Sequence, residues 1–243
     1  MRFTQAFKAI PPVALATLCM LAASAAQAGR PMITDDAAIL EANACQLETW
    51  YQATRSAGNE WWALPACNVG GYAEVAIGGA RLREPDGRTT VAVIQAKALL
   101  RAYDETRPGF GMVLGTERDR GVHRGSAGNP FIAGIASVPL RGEAMLLHAN
   151  LGWQRVRDDF AGTRENSATW ALALDSEVAA RTRVSLESYG QSRERAMAQF
   201  GVAYDLAPGR VQIDGSVGSR IARGAPDRYA TIGLVFFTDP LFR

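Results

Sequence analysis

From Ala44 onward the chain breaks into short segments in which apolar and polar residues alternate, separated by clusters of Gly, Pro, Asp and Arg. In "TVAVIQAKALLR", Ala92, Ile94, Ala96, Ala98 and Leu100 fall on one side of an extended chain, and Gln95, Lys97 and Arg101 on the other. A period of two marks a strand whose faces meet different surroundings. Ala and Leu favour helices, but a helix here mixes the polar positions with the apolar ones. The same test predicts strands at 44–53, 60–68, 72–83, 89–101, 109–117, 130–140, 144–153, 166–175, 181–190, 195–206, 210–219 and 228–238. The fold class expected is all-β, a single transmembrane antiparallel up-and-down β-barrel of about 12 strands. An even count returns both termini to one side, the periplasmic side of a bacterial outer-membrane barrel.

Connection lengths and tryptophans agree with that arrangement. With the first strand running outward, the long polar connections at 117–128, 154–165 and 219–227 emerge outside, while "NVGG", "LRGE" and "APG" make short turns on the opposite side. The connection from Tyr103 to Pro108 is longer than its side predicts. Trp50, Trp61, Trp62, Trp153 and Trp170 all fall toward the outer rim, where amphipathic rings form an aromatic girdle. The structural alternative, a soluble periplasmic β-sandwich, more often buries its tryptophans at strand centres.

The first residues change the compartment. Arg2 and Lys8 precede or open an apolar run from Ala9 to Ala23, and "AQA" ends at Ala28. Residues 1–28 therefore read as a secretory signal peptide. An inner-membrane anchor is the alternative, but Pro11 and Pro12 interrupt a run already short for a spanning helix. Cys19 follows Leu18, so it does not resemble a lipoprotein acylation site. Residues 29–43 show no strand pattern and are either a periplasmic extension or a plug, with the barrel running from 44 to 243. Of 26 Lys and Arg, Arg2 and Lys8 leave with the leader, so the remaining basic residues equal the 24 acidic ones. That balance argues against nucleic acid as a partner.

Cys45 and Cys67 lie on strands joined by "TRSAGN", and a simple hairpin sets them opposite each other, with Trp50 facing Trp62. In an exported chain a disulfide between them is expected, two free thiols being the alternative. If each apolar face meets lipid, the other face lines the lumen with Glu48, Glu74, Gln95, Lys97, Arg101, His148, Asn150, Arg183, Glu187 and Asp214, among others. Ionisable groups inside a membrane span are costly unless they face water or one another. Their mixed signs suggest a ladder of charge pairs, which either fills a narrow barrel or lines a solute path.

Catalysis is not expected. His123 and His148 are the two histidines, so no local cluster suits zinc, and no metal or cofactor is implied. His148 and Asn150 share a face, with Ser185 or Ser216 as hydroxyls that barrel closure alone could bring near. Arg118, Arg120, Arg124, Arg155, Arg157, Arg164, Arg220 and Arg223 lie in or beside outer connections and suit lipopolysaccharide phosphate, although solvated loop charge is the commoner explanation, which the nearby Asp158 and Asp159 support.

The stretches "GRPMITDDAAILEANACQLETW", "WWALPACNVGGYAEVAIGGARL", "QAKALLR" and "LLHANLGW" together resemble outer-membrane proteins of the MetA-pathway of phenol degradation family. The resemblance implies an outer-membrane β-barrel concerned with uptake of aromatic or other hydrophobic compounds, and carries no catalytic residues. The expected function is an outer-membrane channel or transporter for small solutes. The alternative is a structural barrel with a filled lumen that binds lipopolysaccharide or a partner through its outer loops. Outer-membrane lipid and, during biogenesis, the barrel-assembly machinery are the expected partners. Phe242 is followed by Arg243, which departs from the terminal aromatic residue of many such barrels.

Overall fold

The computed structural model describes residues 32–55, 57–85, 87–119, 128–158, 163–221 and 227–241, with the backbone alone at 119, 156–158 and 163. The expected signal peptide, the start of the 29–43 segment, His123, Arg120, Arg124 and Arg223 lie outside the described residues, as does the side chain of Arg157.

Twelve strands follow one another: β1 (Cys45–Thr54), β2 (Gly58–Val69), β3 (Ala73–Glu84), β4 (Gly87–Arg101), β5 (Gly109–Asp119), β6 (Asn129–Pro139), β7 (Met145–Asp158), β8 (Thr163–Ala179), β9 (Thr182–Gln191), β10 (Met197–Ala207), β11 (Val211–Arg220) and β12 (Arg228–Phe237). Each pairs antiparallel with its sequence neighbours, and β1 pairs with β12 from Gln46↔Phe237 to Thr54↔Tyr229. The sheet is thus closed. Closure continues past the strand ends, where Thr238 N donates to Cys45 O and Leu241 N to Asn43 O. An edge strand would present unpaired N–H and C=O groups, and this topology has none.

Alternation now has a definite sense. Ile77, Ile94, Leu151, Leu172, Leu186 and Ile232 point outward and are 47 to 73% exposed, while Gln46, Lys97, His148, Glu187, Gln212 and Asp214 point inward and are buried. The barrel is the reverse of a soluble protein, apolar outside and polar within.

Two expectations are corrected. The segment 154–165 is mostly strand, because β7 and β8 stay paired from Met145↔Ser176 to Asp158↔Thr163. Backbone pairing needs no apolar face, so the ladder outlasts the alternation that marked it. Trp50 and Trp62 do not join the outward girdle. They share the inward face with Gln46 and Ala66, and their rings stack with centroids 5.2 Å apart and planes 4° off parallel. Trp61 faces outward beside Tyr51, with centroids 5.1 Å apart, and Trp153 and Trp170 are outward too.

The long connection after β4 is built around one carboxylate. Asp104 accepts hydrogen bonds from Thr106 N and Oγ1 and from Arg107 N and Nε. The Arg107 guanidinium, then the Thr106 donors, hold its carboxyl well below the usual carboxylate range. One glycine matters to the lumen: at Gly218 a Cβ would sit 2.2 Å from the Tyr229 ring, which crosses this position to meet Tyr189 Oη at 2.7 Å and Gln199.

Cys45 and Cys67 are paired residues of β1 and β2 and are joined by a disulfide. Maleimide-polyethylene-glycol labelling of denatured chain produced without residues 1–28, and so without Cys19, is expected to add nothing before reduction and two adducts after it. Adducts without reductant would refute the bond.

Candidate functional site

The inward face is occupied by the chain's own N-terminal segment. Glu187 on β9 accepts Ile33 N, Thr34 N and Thr34 Oγ1, the last two at 2.6 Å. Asn150 on β7 accepts Asp35 N at 2.8 Å and returns a bond from Nδ2 to Asp35 O at 2.9 Å. Lys97 on β4 meets Asp36 at 2.8 Å and Asp35 at 3.4 Å. Ser137 on β6 accepts Ala37 N, Glu74 on β3 accepts Leu40 N, and Asn68 on β2 donates to Leu40 O. The segment therefore crosses the lumen from β9 to β2 before entering β1. A peptide without regular structure must find partners for its N–H and C=O groups wherever it is buried, and the wall supplies them from five strands, with Lys97 on a sixth meeting the segment's carboxylates.

Apolar packing fixes the middle of that path. Ala37 is fully buried against Val113 and Ile135, with Leu99, Tyr103, Phe131 and Ala133 around them. A small side chain is what the narrow interior admits there.

The predicted lumen residues divide cleanly. Glu74, Lys97, Asn150 and Glu187 hold the segment directly, and His148 does so through Ser137. Arg183 pairs inward with Asp175 at 2.8 Å and Glu48 accepts from Gln46, while Gln95 and Asp214 share the inward face. Arg101 does not belong with them. The ladder between β4 and β5 shifts between Leu99 and Arg101, so Arg101 falls opposite outward Phe110, over whose ring it sits at 5.1 Å. One inserted residue moves every later side chain to the other face.

Nor do the inward charges form a balanced ladder. Glu48, Glu60, Glu74, Asp175, Glu187 and Asp214 come from the wall, and Asp35 and Asp36 from the segment. Among the described strand residues, the inward cations are Lys97, Arg183 and Arg220. The interior is acidic.

Sequence reasoning missed Ser137. Its Oγ accepts Ala37 N and shares a 2.7 Å hydrogen bond with His148 Nδ1, in which either group can be the donor. This is a serine–histidine contact, but not a nucleophilic one. Ser137 is fully buried beneath the segment, and His148 Nε2 has no orienting carboxylate among the described residues. Ser216 meets Thr231 instead. No group of three or more metal-ligating side chains occurs among the described residues.

A closed, even-stranded antiparallel barrel with an apolar outer belt and a polar interior is the fold of outer-membrane porins. The chain is similar to the NanC porin (TM-score 0.62, 9% identity, covering 78% of this chain and 98% of that one). It is similar also to the KdgM porin in complex with disordered oligogalacturonate (0.57, 9%, 79% and 98%), and to the outer membrane protein Omp33 of Acinetobacter baumannii (0.50, 10%, 79% and 96%). At such identities the fold is what is shared. By sequence, the chain belongs to the family described as uncharacterised conserved protein UCP029691, whose model matches residues 16–236. No curated protein matches the chain.

Lys97 and Asp36 are both buried, so removing one partner strands the other. Lys97→Met is expected to destabilise the barrel by about 3 kcal/mol, and adding Asp36→Asn to recover most of the loss. Denaturant unfolding in micelles measures both. Equal loss in the single and double variants would break the assignment.

Proposed function

We propose that this chain is an outer-membrane channel for small solutes whose conductance is set by its own N-terminal segment. The observation carrying this reading is the set of bonds from six wall strands to residues 33–40, inside a barrel whose outward face suits lipid. Passage requires no catalysis. Solutes move passively through whatever cross-section the segment leaves, or through a larger one when it is displaced. The barrel-assembly machinery and outer-membrane lipid, lipopolysaccharide included, are its partners in that reading.

The acidic interior selects the solute. Charge of one sign along a low-dielectric passage concentrates counter-ions and repels ions of like sign. Cationic and neutral solutes fit this lumen better than acidic oligosaccharides, even though one structural neighbour is bound to oligogalacturonate. The aromatic compounds implied by the MetA-pathway resemblance belong in the same flux measurement, because the stacked Trp50 and Trp62 offer an apolar contact inside the barrel.

Burial favours a second reading. His148, Glu187 and Lys97 are 1, 5 and 7% exposed, as in a barrel filled for structural purposes. Planar-bilayer recording separates the two. The full chain is expected to conduct weakly and a variant lacking residues 33–41 to conduct several-fold more, with folding checked by heat-modifiable gel migration. No conductance from either folded protein would leave the structural barrel. In a KCl gradient the reversal potential is expected to show cation preference, and anion preference would overturn the charge argument while leaving the channel intact.

A further inference from the structure

Beyond the lumen, the outward face of β3 and β4 carries an arrangement that the channel does not use. Arg83 and Arg88 are paired residues across these strands, both exposed and both outward. Arg81 lies two residues before Arg83 on the same face, and Arg118 on β5 is outward and exposed beside Ala92. Among the described residues the neighbouring acid, Glu84, points the other way, since it accepts Thr89 Oγ1 and Thr89 is buried. Among the described residues, no carboxylate pairs with Arg81, Arg83 or Arg88.

Like charges set directly opposite in a sheet destabilise it. The arrangement becomes favourable when an anion sits between the two guanidinium groups, because each can donate a forked pair of bonds to phosphate oxygens.

The level of the pair along the barrel identifies which anion. Arg81 lies in the row of outward Trp61 and Tyr51, the aromatic ring that marks a membrane interface. Arg83 and Arg88 stand two residues farther on, about 7 Å along the strand, at the height of lipid phosphates. They lie at the end of the barrel opposite both termini. In an outer-membrane barrel that end meets the outer leaflet.

We propose that Arg83 and Arg88, flanked by Arg81, form a binding site for a phosphate group of the lipid A part of lipopolysaccharide. The proposal rests on the outer-membrane placement above but not on conduction. Fractionation of cells to a compartment other than the outer membrane would defeat the placement itself.

The test uses the full chain refolded in zwitterionic micelles, with native mass spectrometry reading retained lipid. The probes are diphosphoryl lipid A, dephosphorylated lipid A and phosphatidylglycerol. Wild type is expected to retain diphosphoryl lipid A over the other two. Arg83→Gln with Arg88→Gln is expected to weaken that retention by at least about tenfold, while Arg210→Gln at the opposite end leaves it unchanged. Undiminished retention in the double variant, or equal retention of dephosphorylated lipid A, overturns the site. Equal retention of phosphatidylglycerol overturns the assignment to the glycolipid. Because the double variant removes a repulsion, its unfolding midpoint without lipid is expected to be no lower than that of wild type, which separates lost binding from lost folding.

Discussion

Every feature of this molecule depends on backbone pairing that leaves no strand at an edge. Once β1 meets β12, each strand has two neighbours, and the wall satisfies its own N–H and C=O groups without water. That freedom from water is what permits an apolar exterior. The period-two alternation then has two destinations, and the inward one must accommodate everything polar. The acidity of the interior and the arginines of the outer rim follow from sorting side chains between those destinations.

The same closure limits the inside. A barrel of this size is wider than eight-stranded barrels, which side chains fill, and narrower than the large porins, which keep an aqueous channel. The N-terminal segment takes up the difference along part of the height. It is held less by any one contact than by their distribution, with Glu187, Asn150, Ser137, Lys97, Glu74 and Asn68 arriving from different directions. Releasing it requires several wall strands to give up partners together.

How much of this was legible depended on the kind of information needed. Alternation located all twelve strands, with ends within two residues except around the β7–β8 hairpin and the end of β8, where it fell three to five short, and hairpin symmetry set Cys45 opposite Cys67 and Trp50 opposite Trp62. The same symmetry fails at the turn after β6: counting outward from "LRGE" sets Ile135 opposite His148, whereas pairing resumes at Pro139↔Leu146 and brings Ser137 there instead. Arg101 was not legible either. Its face depends on a register shift between Leu99 and Arg101, and nothing in "KALLR" announces an extra residue. Trp50 and Trp62 were assigned the right height but the wrong face, because tryptophan suits both lipid interface and lumen. The segment before β1 lacked periodicity of any kind. The wall side chains that hold residues 33–40 lie 28 to 154 residues away and are set by barrel closure.

The path of that segment also gives the barrel a direction of construction. Residue 33 is bonded to β9 in the interior, while residue 43 is joined to the rim, where Asn43 N donates to Asn68 O. A chain running inward from its rim cannot be threaded by its heavy end once the wall is complete. The described chain starts among wall side chains and leaves by the rim, so fusions for detection or display belong on a hairpin turn, where neither the held segment nor the seam between β1 and β12 is disturbed.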